Sequence, residues 1–550
     1  MRILKALVNS LVSGVFFSLL LALLIYDLNI SLNFKISSLA QFTLFSAFSY
    51  GLVVSAICFF IYLIFQFFFD KKIKLAFISP SFLTISFSFL ILLFLTIFRT
   101  NYRHFYTIFN PETRTLLRSQ IIFLLVAAVL GLITFYLFHF YRKSALFFIV
   151  YFALFWAAIF LVFLQRLNYP LLLTPSKVAH FEARDIDKKI TILGLDGLSF
   201  DFIIPFISAG KLPNFSVLVD NGSWGKLVNF TPNEPIILNN SINTGKFPFK
   251  HRQISSHSYR LLFCQEEIEV VPRYIFFRQL TRPGFLEILP REKPSQPVKD
   301  IWKIFEDNRI SYLRRDWPYE EKEVKPSPKA ERLFLQFYED LQDEASDIFA
   351  FAKEAFFLDF EREAKASEEK DQQNPQFFYF LLNGLNIVET YFYKYSFPEL
   401  IGDIEQEEIN KFGFVIEKYY MFYDQILGRL LASMKEDELL IVYSSHGIEP
   451  LPLWKRFVEW ILGNEDVSAY HENAPDGVIL FYGKGIARGK NIEGMRIIDI
   501  APTLLYYLGL PVGRDMDGIV KSSVFQEDFT TENPVFYISS YEEISIKAPS

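Results

Sequence analysis

Five stretches without a single Asp, Glu, Lys or Arg, residues 6–26, 36–69, 75–98, 119–141 and 144–165, occupy most of the first third of this 550-residue chain. Each is long enough to cross a hydrocarbon core of about 30 Å as a helix. Lipid offers no water to an unpaired backbone N–H or C=O, so apolar stretches of this length are stable there only as helices or closed barrels. They predict an all-α transmembrane bundle of five helices, at about residues 6–26, 41–65, 76–98, 119–141 and 144–165, within a membrane region covering residues 1–167. The first stretch is longer than the apolar core of a signal peptide and no small-residue cleavage pattern follows it, which argues that it is retained.

Charge divides the chain at the same place. Residues 1–170 hold 13 Lys/Arg and 3 Asp/Glu, a net of 13 − 3 = +10, whereas the whole chain carries 55 − 61 = −6, leaving −16 for residues 171–550. Nucleic acid is excluded as a partner, because the half free to meet a polyanion is itself acidic. The bilayer is the partner that the apolar half requires. Arg2 and Lys5, then Lys71, Lys72 and Lys74, then Arg142 and Lys143 all fall on one side if the spans alternate. An excess of Lys/Arg marks the cytoplasmic side, so the N-terminus is expected inside and the large C-terminal domain outside, an integral multi-pass arrangement. Arg99, Arg103, Arg114 and Arg118 oppose that orientation. His139, near a helix end, reads as an interfacial residue rather than a proton relay, and transport has no support in the spans. Two distant cysteines, Cys58 and Cys264, exclude a disulfide framework.

A linker is expected at residues 168–187, mixing Pro, Ser and charges, followed by a globular domain at 188–550. Short β-branched runs at 190–195, 439–443 and 477–482 alternate with helical patterns. That alternation predicts an α/β domain with a mainly parallel central sheet, in which ligands gather at the carboxyl ends of strands. Asp196 and His446 follow two of these runs. Residues 330–370 read as a charged helix with solvated faces, and residues 255–298 carry no readable pattern.

The strings ITILGLDGLSFDFIIPFISAGKLPNFSVLVDNGSWGKL (190–227), SINTGKFPFKH (241–251), DIWKIFEDNRISYLRRDWP (300–318), DELLIVYSSHG (437–447) and IIDIAPTLLYYLGLPVGRDMDG (497–518) resemble the type I phosphodiesterase/nucleotide pyrophosphatase family of the alkaline phosphatase superfamily. The layout of helices before such a domain also resembles membrane-anchored phosphoethanolamine and lipoteichoic-acid transferases. The resemblance implies an alkaline-phosphatase-like fold and a reaction run by two divalent cations, one activating a Ser/Thr nucleophile and one taking charge from the phosphoryl oxygens. It also implies where the six ligands and the nucleophile should stand.

Asp196 matches the first ligand, His446 the His of the Ser-Asp-His-Gly motif, and His471 the last His. The other three positions fall on Ser445, Asn386 and Thr390, none of which replaces an anionic or imidazole ligand well. Counting nine residues back from Thr244-Gly245 puts the nucleophile position on Pro235, which has no hydroxyl; a one-residue gap substitutes Glu234. Thr231 and Ser241 are nearby hydroxyls, Glu389 and Glu449 are carboxylates near lost positions, and His251 matches a structural position. These residues predict a remnant metal site, with no cofactor, or with zinc or another divalent cation if the protein is active. They leave two functional readings open. One is a domain that has lost phosphodiesterase catalysis and serves the cell envelope by binding a lipid headgroup, glycan or envelope protein. The other is a metal-dependent phosphodiesterase or phosphotransferase acting on such headgroups through a rearranged site.

Overall fold

The computed structural model describes residues 2–68, 77–137, 145–167, 169, 188–290, 298–315, 325–341, 346–402, 404–471 and 475–542. The expected linker, Tyr169 apart, and His139 lie outside these residues. The chain forms two compact units, one of Met1–Thr174 with Pro248–Gln296 and one of Pro175–Phe247 with Pro297–Ser550.

The first unit is built on helices α1 (Arg2–Leu28), α2 (Ile36–Ser46), α3 (Leu52–Phe68), α4 (Pro80–His104), α5 (Pro111–Tyr136) and α6 (Ala145–Leu167). A five-residue π-helical stretch, Ala47–Gly51, joins α2 to α3, so that Ile36–Phe67 counts as one span. Among the described residues four spans, within α1, α2–α3, α4 and α5, are long and apolar enough to cross a membrane, and Phe152–Leu167 of α6 is a shorter apolar helix. Helix α5 starts where the sequence dictates: Asn110 accepts the Thr113 N–H at 2.7 Å and Pro111 needs no partner for its missing N–H. Helices α1 and α6 run past their charge-free stretches and so take in Asp27 and Arg166. Both are buried, because Arg166 lies 3.9 Å from Asp27 and also donates to the carbonyls of Tyr26, Asn29 and Leu32.

Residues 255–290, within the stretch 255–298 that carries no readable pattern in the sequence, pack on these helices. Tyr259, Leu261, Ile268, Val271 and Phe277 share a core with Ile25, Tyr26, Phe42 and Phe45. Two asparagines seal the contact: Asn29 accepts from the Glu269 and Val270 N–H groups and donates to the Val270 carbonyl, while Asn101 accepts from the Arg273 N–H and donates to its carbonyl. Arg114, one of the cations opposing the expected orientation, stacks over Tyr106 at 3.9 Å and donates to its carbonyl.

The second unit holds an eight-stranded sheet of β1 (Lys189–Leu195), β2 (Ser223–Val228), β3 (Tyr312–Arg315), β4 (Phe377–Leu382), β5 (Glu438–His446), β6 (Asp476–Gly483), β7 (Lys490–Asn491) and β8 (Met495–Arg496). Its order is β7-β2-β6-β5-β1-β4-β3, with β8 beside β2. Only β6 runs against its neighbours, so the expected mainly parallel α/β sheet is what the chain forms. Alternate residues along the strands feed two cores. Leu193, Phe380, Val442 and Leu480 face helices that include Phe200–Ser208, Asp347–Gln373 and Val415–Ser433. Ile192, Tyr379, Ile441 and Phe481 face helices that include Pro235–Thr244, Ile301–Asp307 and Ile500–Tyr507.

Residues 330–370 differ from the expected solvated helix. Among the described ones, 330–337 and 347–370 lie in helices Pro328–Phe337 and Asp347–Gln373, whose Phe334, Phe349 and Phe356 are core residues. Asp359 is buried because Tyr419 and Tyr423 hydroxyls and the Gly384 N–H all donate to it. Its donors lie on distant segments, so periodicity alone could not place it.

Candidate functional site

The sheet order explains why the singled-out residues lie along one edge. Strands β1, β4 and β5 are parallel, so their carboxyl ends, leading into Asp196, Asn383 and Gly447, align. Strand β6 is antiparallel and begins there, with Asp476 opposite His446. The chain before it therefore delivers His471 to the same edge. Strand β2 also ends there, where the Asn229 N–H donates to Asp476 at 3.1 Å, and leads into helix Pro235–Thr244.

Around this edge the contacts are specific. Gly197, at φ +102°, turns the chain after Asp196 so that its N–H donates to the Ser444 hydroxyl at 3.1 Å. Ser444 in turn donates to the His446 carbonyl at 2.7 Å. His446 is buried, its Nδ1 lies 3.0 Å from the Gly447 carbonyl, and its ring stacks on His471 with centroids 5.0 Å apart. Asn233 donates to the His471 carbonyl at 2.9 Å and so fixes the head of helix Pro235–Thr244 beside it. On helix Gly384–Ser396, the Thr390 hydroxyl donates back to the Asn386 carbonyl at 2.7 Å. The Thr390 carbonyl accepts the Ser468 N–H at 2.9 Å, tying this helix to the segment that carries His471.

Glu389 stands one position off the Asn386–Thr390 face. It is fully buried, accepts from the Tyr420 hydroxyl at 3.2 Å, and turns its other oxygen toward Gly197. That oxygen and the Asn386 side-chain oxygen have no hydrogen-bond partner among the described residues. Pro235 is the exposed first residue of its helix and Glu234 its N-cap, with no capping bond from the Glu234 side chain. Ser445, at the lost aspartate position, is buried in β5, and Ser241 is buried within its helix. Glu449 pairs with Tyr470 in a two-stranded ribbon, and the His251 ring accepts the Gln253 N–H. Thr231 precedes a cis proline ahead of the helix.

The electrostatics favour neutral groups. The Asp196 carboxyl has no donor among the described residues, and although part of the residue reaches solvent, desolvation pushes its pKa up to about 7. Burial drives Glu389 well above the carboxylate range and His446 below the ordinary imidazole value. Among the described residues no group of three or more His, Cys, Asp or Glu side chains converges as metal ligands would. The donor set does not fit a pair of dications: Thr390 spends its hydroxyl on its own helix, Ser445 and Asn386 carry no charge, and a protein zinc site generally uses three or four protein ligands. What the edge can do is donate and accept hydrogen bonds from imidazole, amide and protonated carboxyl groups.

Ser444, Asn233 and Tyr420 were not singled out in the sequence, yet they hold the Asp196 turn, His471 and Glu389. Ser444 had a signal, being part of Ser-Ser-His-Gly; the other two act across long sequence separations and had none.

The family model for type I phosphodiesterase/nucleotide pyrophosphatase matches residues 190–498, more than half of the chain. Among solved structures, an inactive form of murine ectonucleotide pyrophosphatase/phosphodiesterase 5 in complex with AMP is 13% identical, covering 59% of this chain and 96% of that one at a TM-score of 0.35. The human protein of the same name is 12% identical, covering 62% and 100% at a TM-score of 0.35. No curated protein matches the sequence.

Proposed function

This chain belongs to the type I phosphodiesterase/nucleotide pyrophosphatase family, and from that premise we propose that it is a membrane-anchored member that binds its ligand without cleaving it. The ligand class is a phosphorylated lipid or glycan headgroup of the cell envelope, met on the extracytoplasmic side with the N-terminus in the cytoplasm. The observation that carries this reading is Pro235. The helix start that resembles the family's nucleophile position presents a ring without a hydroxyl to solvent, and nucleophilic catalysis needs an attacking oxygen.

The rest of the edge suits binding. Glu389, held protonated by burial, and an Asp196 carboxyl raised to about 7 repel a phosphodiester less than two ordinary carboxylates would. The strand-end edge that carries them lies where open α/β sheets place their ligands.

The test uses the full chain in lipid nanodiscs, measuring zinc and manganese content together with hydrolysis of bis-p-nitrophenyl phosphate. Substoichiometric metal and turnover no higher than that of Asp196→Ala are the expected results. Stoichiometric metal with turnover abolished by Asp196→Ala would overturn the proposal in favour of an active phosphodiesterase, and loss of that turnover in Glu234→Gln would name its nucleophile.

A further inference from the structure

Between His446 and His471 the chain makes an excursion whose helix, Leu453–Leu462, is amphipathic in the wrong direction for a soluble domain. Its sequence LWKRFVEWIL places Leu453, Trp454, Phe457, Trp460 and Ile461 within one arc of about 120° at 100° per residue. All five are between 57% and 76% exposed. The polar side faces the protein instead: Lys455 lies over the Tyr470 ring at 3.8 Å and Arg456 donates to the Ile401 carbonyl at 2.8 Å. A surface helix ordinarily buries its apolar stripe and solvates its charges. Here the solvated arc is wholly apolar, and none of the helix's residues is fully buried.

We infer that this helix docks on the lipid bilayer in which the chain is anchored, lying in the interface with its Trp454–Trp460 arc among the lipid chains. Three observations select lipid over protein. Two Trp and one Phe on the exposed arc of a short helix are the composition of an interfacial helix, because the indole ring is stable at headgroup depth. At roughly 200 Å² per fully exposed aromatic side chain, five side chains at this exposure offer on the order of 600 Å², below the ~800 Å² per partner of a standard specific interface. Finally, helices long and apolar enough to cross a membrane belong to the same chain, so a bilayer holding them would be presented to this arc at high effective concentration. The inference holds whether the strand-end site binds or cleaves. The helix lies in the connection between the two stacked histidines, so docking ties that connection to the bilayer surface.

The test places a single NBD-labelled cysteine at Trp460→Cys in a Cys58→Ala/Cys264→Ala background of the full chain, one copy per nanodisc, with doxyl-labelled lipid as quencher. Phe60→Cys, on the exposed face of α3, is the membrane reference and Lys490→Cys, on an exposed edge strand, the aqueous one. The expected result is blue-shifted emission at position 460 with most of the fluorescence lost to doxyl lipid, as at position 60. A second variant, Trp454→Ser/Phe457→Ser with the same label, loses that quenching while the label at position 60 keeps it. Water-like, unquenched emission at position 460 overturns the inference. So does a blue shift without quenching, which assigns the arc to protein, or quenching that requires two copies per disc, which assigns it to a second copy of this chain.

Discussion

Gly197 shows how little room the candidate site leaves for change at a single residue. Its φ of +102° is one that side chains resist, and a Cβ there would stand 2.6 Å from a Glu389 carboxyl oxygen and 3.1 Å from the Asn386 nitrogen. Gly197→Ala is therefore expected to cost about 1–3 kcal/mol of stability, the range for strained backbone positions, seen as a lower melting temperature of the purified full chain. Asp196 beside it links stability to pH. Its folded pKa of about 7 lies above the unfolded value near 3.8, so the folded state holds a proton that the unfolded state has lost. That stabilisation is fully present below about pH 4 and disappears as pH rises to about 7. Glu389, also raised, acts with the same sign, whereas the depressed His446 acts oppositely and withdraws stability as pH falls below its ordinary value. Asp196→Asn removes the ionisation, so its melting temperature is expected to rise relative to the parent chain at pH 8 and to change far less at pH 4. A difference independent of pH would contradict the raised pKa.

Among the elements, two of the sequence strings, 241–251 and 497–518, prove to be parts of one clasp. The Gly245 carbonyl accepts the N–H groups of Asp517 and Gly518, and the Phe247 N–H donates to the Asp517 carboxylate at 2.9 Å. Gly518 cannot carry a side chain, because a Cβ would lie 1.9 Å from the Ile498 carbonyl oxygen. Lys246 is buried between Asp515 at 2.6 Å and Glu542 at 2.7 Å. Lys246→Met strips the buried Glu542 of its cation and leaves it beside the partly exposed Asp515, and breaking a buried ion pair in this way costs up to about 3–5 kcal/mol. Thermal unfolding of the full chain should register it as a marked loss, while the doubly neutral Asp515→Asn/Glu542→Gln in the Lys246→Met background should recover part of it. The clasp explains what the sequence made legible. Strands β1, β5 and β6 and the glycine turns were readable because backbone geometry and burial leave local marks in residue type. The positions of Asp196 and His446 along the chain were readable for the same reason, since they follow strands, whereas His471 came only from the resemblance to the family. Their geometry was not, because Asn233, Ser444 and Tyr420 reach them from far along the chain. The outward Trp454–Trp460 arc also escaped notice: a periodic apolar stripe reads equally as core until its surroundings are known.

At the scale of the whole molecule, the apolar first third was legible because charge is excluded from lipid, yet its boundaries were drawn short by Asp27 and Arg166, which sequence cannot show to be partners. The larger surprise is that residues 255–290, inside the span of the family match, pack on the N-terminal apolar helices. The apolar helices and this segment therefore belong to one folding unit. Asn29 is the most exacting contact, since one side chain satisfies two backbone N–H groups and one carbonyl of the incoming segment at 2.8–2.9 Å. Asn29→Leu removes the partner of the buried Val270 N–H and carbonyl, at about 1–3 kcal/mol for each such group. The expected outcome is proteolytic nicking within residues 248–296 in detergent micelles or nanodiscs, where the parent chain resists. The same packing predicts the behaviour of a truncated chain. Residues 176–550 expressed alone would expose Tyr259, Leu261, Ile268, Val271 and Phe277, which now share a core with α1 and α2, and an apolar patch of that kind drives association. Light scattering should report aggregation of that fragment, and replacing 248–296 by a short Gly/Ser linker should return it to a monomer. A soluble, monomeric 176–550 fragment would show that the segment holds its fold without the membrane helices.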